Sequence, residues 1–188
     1  MTDPPAFEIV ARRTLHRGTK FDFEQIDVAL DGGGTLSRDL VRHPGAVVVL
    51  PLVQTPQGPR VVYLKNQRPA IGEALIELPA GTLEPPEPPD VCAHRELIEE
   101  AGYNAATITP LSRFYTTPGM TDELMHAFVA TDLRAADRAP EAGERMTVHL
   151  APPSELLAMV EGGGVMDAKS MLTLLLAERR GLLAGDAD

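Results

Sequence analysis

The stretch that decides the fold runs from Leu78 to Tyr103 and reads LPAGTLEPPEPPDVCAHRELIEEAGY. A loop rich in glycine and proline leads into a helix. We expect this helix to begin at Pro89 or Asp90, because proline suits a first helical turn and aspartate can cap it. Gly102 is expected to end the helix. One face is apolar and predicts packing against the rest of the domain; it carries Val91, Ala93, Leu97, Ile98 and Ala101.

Three glutamates lie close together on this predicted helix. Glu96, Glu99 and Glu100 stand at positions i, i+3 and i+4, so an α-helix turns their carboxylates to one side. Carboxylates this close repel each other and raise one another's pKa unless a cation lies among them. Oxygen ligands without paired histidine or cysteine favour a hard divalent ion, Mg²⁺ or Mn²⁺. The pattern therefore predicts a divalent metal site that faces a cleft.

The same segment resembles the signature of the Nudix hydrolases. Gly81 is followed after five residues by Glu87, and after seven more by the run RELIEEAG, residues 95–102. The only departure is Tyr103, where the family usually has an aliphatic residue, and a tyrosine ring can also be buried there. The alternative is a solvated acidic helix face, which the complete register of the motif disfavours.

The resemblance implies the Nudix α/β/α sandwich with a mixed sheet for residues 45–180, an α/β or α+β fold. Residues 1–44 are predicted to form a small N-terminal antiparallel β extension, too small to be stable alone, and residues 181–188 a flexible tail. A mobile loop is predicted over residues 133–145. The predicted strands are 7–15, 20–30, 35–42, 46–53, 60–66, 74–78, 106–111, 112–115, 124–131 and 146–150; two further helices are predicted over 153–161 and 168–180.

The resemblance also implies roles for the signature residues. Glu96 and Glu100 are the strongest expected metal ligands, with Glu99 as a ligand or a near neighbour, and the backbone carbonyl of Ala80 assists them. Arg95 is a candidate catalytic residue that orients the glutamates through ion pairs. The expected structural residues of the motif are Gly81, Glu87 and Gly102, and Glu87 steadies the loop by a hydrogen bond or by pairing with Arg95.

Two further glutamates, Glu141 and Glu144, lie in the predicted mobile loop. In the resembling enzymes a glutamate on this loop orients or deprotonates the attacking water, and a loop position would let it move in after substrate binds. Glu144 is favoured over Glu141 because it lies nearer the next strand. The alternative for both side chains is a solvated charge.

The candidate substrate residues come from two other segments. In YTTPGMTDE, residues 115–123, Pro118 lies sixteen residues after Gly102, and the phrase resembles the marker of ADP-ribose pyrophosphatases within the family. Pro118, Gly119 and Glu123 are therefore candidates, and a turn with a purely geometric role is the alternative.

Two arginines complete the candidate substrate residues. Arg68 resembles an arginine that these enzymes use on the phosphates or the adenosine, a bidentate task that suits a guanidinium. Arg42 is a weaker candidate by the same analogy. For both arginines the alternative is an ordinary solvated side chain.

The activity implied by the resemblance is Mg²⁺-dependent hydrolysis of ADP-ribose to AMP and ribose 5-phosphate, with Mn²⁺ as the alternative ion. Another nucleoside diphosphate derivative remains open as substrate: a nucleotide sugar, NADH or a dinucleoside polyphosphate. A non-catalytic ADP-ribose or nucleotide sensor is also open, although all the glutamates of the motif are present. Similar enzymes are dimers that use an N-terminal extension across the interface, so we expect a homodimer.

The composition restricts the classes of binding partner and the cellular location that we expect. A formal net charge of -10 over 188 residues argues against a nucleic-acid partner or an anionic membrane surface, because both are held by clustered lysine and arginine. No apolar run reaches the roughly 20 residues of a membrane helix, and the N-terminus lacks a basic and then apolar leader. The single cysteine, Cys92, fits a reducing compartment. We therefore expect a cytoplasmic protein that acts on a small nucleoside diphosphate substrate.

Overall fold

The computed structural model describes residues 3–184, which form two compact units. The first unit contains the chain up to Gly45 together with Tyr115–Leu124. The second contains Ala46–Phe114 and the chain from Met125 onward. The first unit thus takes in a loop that the sequence-based division left in the larger domain.

The first unit is built on a three-stranded antiparallel sheet, which confirms the predicted extension. Strands β2 and β3 pair without interruption, whereas the pairing of β1 with β2 shifts at two points. The Tyr115–Leu124 loop joins this sheet, because the Val41 N–H donates to the Met120 carbonyl over 2.8 Å. The strands are β1 (Ile9–Arg17), β2 (Asp22–Ala29) and β3 (Thr35–Arg42).

The second unit is a seven-stranded mixed sheet with helices on both faces. Its strands are β4 (Ala46–Thr55), β5 (Gly58–Arg68), β6 (Glu73–Glu77), β7 (Ala80–Thr82), β8 (Tyr103–Tyr115), β9 (Leu124–Ala135) and β10 (Met146–Ala151). The order is β10-β5-β4-β9-β8, with β6 paired to β5 and β7 paired to β4. Strand β4 is parallel to β9 and antiparallel to β5 and β7.

The helical layers follow from the apolar run in β4, whose residues Val47 to Leu50 are all 0% exposed. Val47 and Val49 pack against helix α1 (Pro89–Glu96) and the π-helical segment Leu97–Ala101. Val48 and Leu50 pack against α2 (Pro153–Glu161) and α3 (Ala168–Arg179) on the other face. A strand buried on both faces needs apolar residues at consecutive positions, and the predicted α/β/α sandwich is confirmed.

Several element boundaries differ from the sequence-based expectation. Strand β8 is continuous where two strands were predicted, because it lies at the end of the strand order and an edge strand tolerates Pro110. Strand β9 extends to Ala135, so the predicted loop begins later than residue 133. A short strand, β7, lies in what was predicted to be loop.

The described part of the C-terminal segment packs against the core. Residues 181–184 form a turn, and Leu183 is buried in the core. The Arg180 guanidinium donates to the Leu111 carbonyl over 2.6 Å and fixes the end of the helix. The rest of the predicted tail, residues 185–188, lies outside the described residues. Among residues 3–184, the helices fall short of the length and apolar character needed to span a bilayer.

Candidate active site

The signature helix changes its pitch at the predicted metal ligands. Helix α1 ends at Glu96 and continues as a π-helical segment until Gly102, whose φ of 74° is left-handed. Sequence analysis predicted one α-helix throughout. A π turn contains more residues than an α turn, so each residue rotates less about the helix axis, and Glu99 and Glu100 are displaced from their α-helical positions. Glu96 and Glu100 are accordingly buried, whereas the Glu99 side chain is 32% exposed.

Arg95 lies among three of the signature carboxylates. Its Nε and Nη2 atoms each lie 3.0 Å from an oxygen of Glu87, which makes a bidentate pair. Its Nη1 atom lies 2.7 Å from Glu96 Oε1 and 3.1 Å from Glu99 Oε2. The bond from Arg95 lowers the pKa of Glu87, and the same bond raises the pKa of Arg95. One guanidinium therefore orients both the glutamate of the loop and two of the helix.

Glu96 and Glu100 are buried carboxyl groups with raised pKa values. Burial raises the pKa of Glu96 to about 7, with Arg95 acting against it. Burial raises the pKa of Glu100 to about 8, although its Oε2 atom accepts the Ala80 N–H over 2.8 Å. Removing a carboxylate from water disfavours its charged form unless a cation compensates. These two side chains are therefore suited to receive a cation.

The backbone beside the glutamates is arranged by strand β7. Val49 N–H donates to the Pro79 carbonyl, and residues 46–48 pair with residues 82–80. Positions in an antiparallel ladder alternate between hydrogen-bonded and non-hydrogen-bonded pairs. Ala80 is at a non-hydrogen-bonded position and turns both its N–H and its C=O away from β4, the side on which Glu100 accepts the N–H. The Ala80 carbonyl thus faces the side of the glutamates.

Gly81 is required by the same close approach. A Cβ atom at this position would overlap the carboxylate of Glu96. That carboxylate is buried and bound by Arg95, so an added Cβ would displace it from this position. The fixed glycine of the motif is therefore explained by the space that Glu96 occupies.

The oxygen atoms of these residues fit a divalent cation in kind, although they do not yet converge on one point. Within residues 3–184, no three acidic, histidine or cysteine side chains already converge as a metal site. The reason is that Arg95 holds Glu96 and Glu99, while Glu100 accepts from the Ala80 N–H. Carboxylate and carbonyl oxygens are nonetheless the ligands that hard divalent ions prefer, and two of the carboxyls are buried with raised pKa values. The residues fit such an ion once their side chains turn toward it.

The loop that carries Glu141 and Glu144 is anchored at both ends. At its start, the Arg138 Nε donates to the Glu100 carbonyl over 2.7 Å and the Ala139 N–H to the Glu99 carbonyl over 3.3 Å. At its end, the Gln67 N–H donates to the Arg145 carbonyl over 2.9 Å. These anchors confine the loop to the vicinity of the signature helix.

The charge of Glu144 reaches the signature helix. It contributes to the raised pKa of both Glu96 and Glu100. Its Oε2 atom accepts the Glu141 N–H over 2.9 Å, and its own N–H donates to the Glu141 carbonyl over the same distance. The two glutamates thus form one turn, and Glu144 is electrostatically coupled to the helix carboxylates.

Arg68 lies at the end of β5 rather than in a loop. Its Nε and Nη2 atoms bind Glu77 over 2.7 and 2.5 Å. The hydrogen bond to Glu77 raises the pKa of Arg68, and Glu100 adds to this effect through its charge. The Arg68 side chain is 41% exposed, so a ligand can reach it.

The other candidate substrate residues lie in the first unit. Arg42 binds Asp122 and approaches Glu24 at 3.5 Å, and the bond to Asp122 raises the pKa of Arg42. Glu123 accepts the Thr116 hydroxyl over 2.5 Å. Pro118 and Gly119 line a cavity of about 570 Å³ whose other walls combine apolar residues of the three-stranded sheet with charged side chains, among them Arg42 and Asp122. Arg42, Pro118 and Gly119 therefore share one cavity.

Sequence reasoning missed several residues that hold these groups in place. Asp122 binds Arg42, Glu77 binds Arg68, and Arg138 anchors the loop. Two of these partners are more than thirty residues away from the group they bind, and sequence spacing gives no signal for such pairs. Asp167 followed by Ser170 is different, because this spacing is typical of a helix N-cap and could have been noticed.

Comparison with known proteins identifies the family to which this fold and this site belong. A family model described as the NUDIX domain matches residues 42–174. An ADP-ribose pyrophosphatase of Bacillus subtilis (strain 168) is 36% identical over 163 residues, 86% of either chain. An ADP-ribose pyrophosphatase of Mycobacterium tuberculosis (strain ATCC 25618 / H37Rv) is 35% identical over 173 residues, 90% of this chain and 82% of its own.

A solved structure described as an ADP compounds hydrolase has the same fold. Its TM-score is 0.79 at 21% identity, and the match covers 97% of this chain and 98% of the other. The mixed sheet between helical layers and the buried helix glutamates beside a glycine loop agree with a divalent-cation-dependent hydrolase of pyrophosphate bonds. The chain belongs to the Nudix family and is a Nudix pyrophosphohydrolase.

Proposed function

We propose that this protein hydrolyses the pyrophosphate bond of ADP-ribose to AMP and ribose 5-phosphate, with Mg²⁺ as its ion and Mn²⁺ as a substitute. The chemistry is carried by one observation: two buried carboxyls, Glu96 and Glu100, lie beside a strand whose free carbonyl faces them. The choice of substrate is supported by the two relatives named ADP-ribose pyrophosphatase, each matched over more than four fifths of this chain.

The proposed metal ligands are Glu96, Glu99, Glu100 and the carbonyl of Ala80. A bound divalent cation would neutralise the pyrophosphate and lower the pKa of a water molecule. Arg95 keeps the glutamates oriented through its contacts with Glu96 and Glu99. In the reaction, the oxygen of water bonds to one phosphorus, the bridging P–O bond breaks, and two phosphomonoesters leave.

Glu144 is the proposed base that takes the proton from the attacking water. Its electrostatic coupling to Glu96 and Glu100 supports this choice over Glu141. A base must lie within hydrogen-bond reach of the proton it removes, but the contact often forms only once the substrate is bound. The anchored loop would let Glu144 make such a movement while its ends stay fixed.

Substrate contacts are proposed for five residues. Arg68 presents the N–H groups that Glu77 leaves open and would bind a phosphate. In the first unit, Arg42, Pro118, Gly119 and Glu123 are proposed to bind the nucleoside or the terminal ribose. The cavity beside Pro118 combines apolar walls with arginine side chains, a chemistry that suits a base and its ribose.

A homodimer is proposed from the surface of the first unit. All nine residues of β1 are exposed, and Phe7, before it, is 82% exposed. Exposed apolar patches of this kind mark interaction surfaces, and a small sheet is marginal without a partner. Sedimentation of the purified protein at micromolar concentration should give the mass of two chains; a single-chain mass would refute the dimer.

The expected location in the cytoplasm rests on the single cysteine and stays a prediction.

A panel of substrates tests the proposed reaction. ADP-ribose, a nucleotide sugar, a dinucleoside polyphosphate and NADH would each be incubated with enzyme and Mg²⁺, and products would be separated by chromatography. ADP-ribose should give AMP with the highest kcat/KM. A higher value for another compound would retain the metal chemistry and reject this substrate. Binding of ADP-ribose without turnover would instead support the nucleotide sensor.

A further inference from the structure

The start of helix α3 contacts the backbone that leads to Ala80. Ser170 is 1% exposed, and its Oγ atom accepts the Leu78 N–H over 2.7 Å and donates to Asp167 over 2.5 Å. Asp167 also accepts the Ser170 N–H and so caps α3. The Leu78 N–H, the Pro79 carbonyl and the Ala80 N–H are thus bound by Ser170, Val49 and Glu100. Three different elements fix this three-residue segment.

The same helix start reaches Arg68 through Glu77. Lys169 Nζ lies 2.8 Å from Asp167 Oδ1 and 3.1 Å from Glu77 Oε2. The Glu77 side chain is 2% exposed, and its two oxygens also bind Arg68. A buried carboxylate with two cationic partners is costly to break and has little freedom. The direction of the Arg68 guanidinium is therefore set in part by Lys169.

An ordinary helix N-cap would not need these contacts. The bond from Asp167 to the Ser170 N–H completes the cap by itself. Thr173 is a buried hydroxyl on the same helix that bonds only locally, since its Oγ1 donates to the Lys169 carbonyl one turn earlier. Ser170 instead binds a backbone group 92 positions away, and Lys169 is turned inward to Glu77.

We propose that Asp167, Lys169 and Ser170 are positioning residues of the active site. Ser170 and Asp167 hold the Leu78–Ala80 backbone so that the Ala80 carbonyl faces the metal-ligand glutamates. Lys169 holds Glu77, and through it the phosphate-binding face of Arg68. The part that concerns Arg68 rests on the proposed function, whereas the part that concerns Ala80 needs only a divalent ion at the glutamates.

The variant Ser170→Ala tests the backbone part, with Mn²⁺ as the probe. Free Mn²⁺ would be measured by electron paramagnetic resonance, and amide exchange of Leu78 and Ala80 by mass spectrometry on metal-free protein. We expect Mn²⁺ affinity to fall about tenfold, as for other residues that orient metal ligands, and amide exchange to accelerate. Ser170→Thr, which keeps the hydroxyl, should restore both.

Thr173→Val is the matched control, because it removes an equally buried hydroxyl from the same helix. It should lower thermal stability but leave the Mn²⁺ affinity unchanged. Wild-type Mn²⁺ affinity in Ser170→Ala, or an equal loss in Thr173→Val, would overturn the assignment. If Ser170→Ala does not fold, Ser170→Cys replaces it, since a thiol accepts hydrogen bonds only weakly. Ser170→Cys should also lower the Mn²⁺ affinity, but by a smaller factor. An unchanged Mn²⁺ affinity in this variant would refute the proposal.

Lys169→Met tests the part that concerns Arg68. We expect KM for ADP-ribose to rise about tenfold with kcat nearly kept, while Lys169→Arg stays close to wild type. An unchanged KM would refute this part. Should the wild-type enzyme fail to hydrolyse ADP-ribose, the proposed substrate falls, yet the Mn²⁺ comparison at Ser170 still decides whether α3 positions the metal-ligand segment.

Discussion

Replacing Glu100 by glutamine separates the cost of burying this carboxyl from its use as a metal ligand. Glu100 is 3% exposed, and the Ala80 N–H is its hydrogen-bond donor. A glutamine has the same shape and can accept that N–H with its amide oxygen. The variant therefore removes the ionisable carboxyl while it keeps the local hydrogen bond.

The direction in which the unfolding free energy changes with pH follows from the raised pKa of Glu100. Because burial raises the pKa of Glu100 from 4.5 to about 8, the folded protein holds this proton more tightly than the unfolded chain. The contribution to stability is full below pH 4.5 and is lost as the pH rises toward 8. Between pH 5 and pH 7 the wild-type protein should lose about 2 kcal/mol through this group, at ~1.4 kcal/mol per pKa unit.

Urea unfolding of metal-free protein at pH 5 and pH 7 measures this difference. Relative to wild type, Glu100→Gln should gain about 2 kcal/mol of unfolding free energy between the two pH values, while Glu96 keeps part of the pH dependence in both proteins. Added Mg²⁺ should stabilise the wild type and have little effect on the variant, whose metal-dependent turnover should be largely lost.

Glu161→Gln, at an exposed position on α2, is the control and should show neither effect. The reasoning is refuted if wild type and Glu100→Gln have the same pH dependence. The metal assignment is refuted if the variant keeps wild-type turnover or an equal response to Mg²⁺.

Four further outcomes are expected. Gly81→Ala should lower turnover about a hundredfold, because the added Cβ displaces the Glu96 carboxylate, whereas Gly32→Ala, with open space around it, should be silent in the same assay. Glu144→Gln should reduce kcat at least about a hundredfold with Mn²⁺ binding retained, and Glu141→Gln should not; the reverse result would exchange their roles. Gly102→Ala should lower the unfolding free energy by about 1 to 2 kcal/mol, since φ is 74° and the Cβ would lie 2.6 Å from Arg138 Cγ; chemical unfolding measures it, and unchanged stability contradicts it. In short incubations with ADP-ribose, a binding measurement should give more than one bound Mn²⁺ per chain. A value of one would contradict the expectation that a second divalent ion offsets the negative charge of the site.

The fold was predictable where the local sequence determines burial. The run from Ala46 to Val53 has consecutive apolar residues, and such a run can be satisfied only in a strand covered on both faces; the structure buries it in this way. The signature helix was predictable in position because proline begins it and Gly102 ends it. Its π-helical segment was not, since the same residues are compatible with an α-helix and the wider turn is selected by packing.

The contacts of the candidate site were predictable only in part. The glutamates and Arg95 lie within a few residues of one another, so their ion pairs follow from helical spacing. Lys169 and Glu77 meet because β6 and α3 are adjacent in the folded domain, and nothing in either segment specifies the other. Arg68 was predicted to lie in a loop because its strand was expected to end at residue 66, whereas β5 continues to Arg68.

The balance of charge explains why more than one cation is expected during turnover. Glu87, Glu96 and Glu99 share the guanidinium of Arg95, and Glu100 lies beside them, so three excess negative charges remain when all four carboxyls are ionised. Arg68 and Lys169 do not change this sum, because Glu77 and Asp167 match them. One divalent ion would still leave the site negative, and a pyrophosphate brings further negative charge to it. A second divalent ion removes that repulsion, so the substrate itself should favour the binding of additional metal.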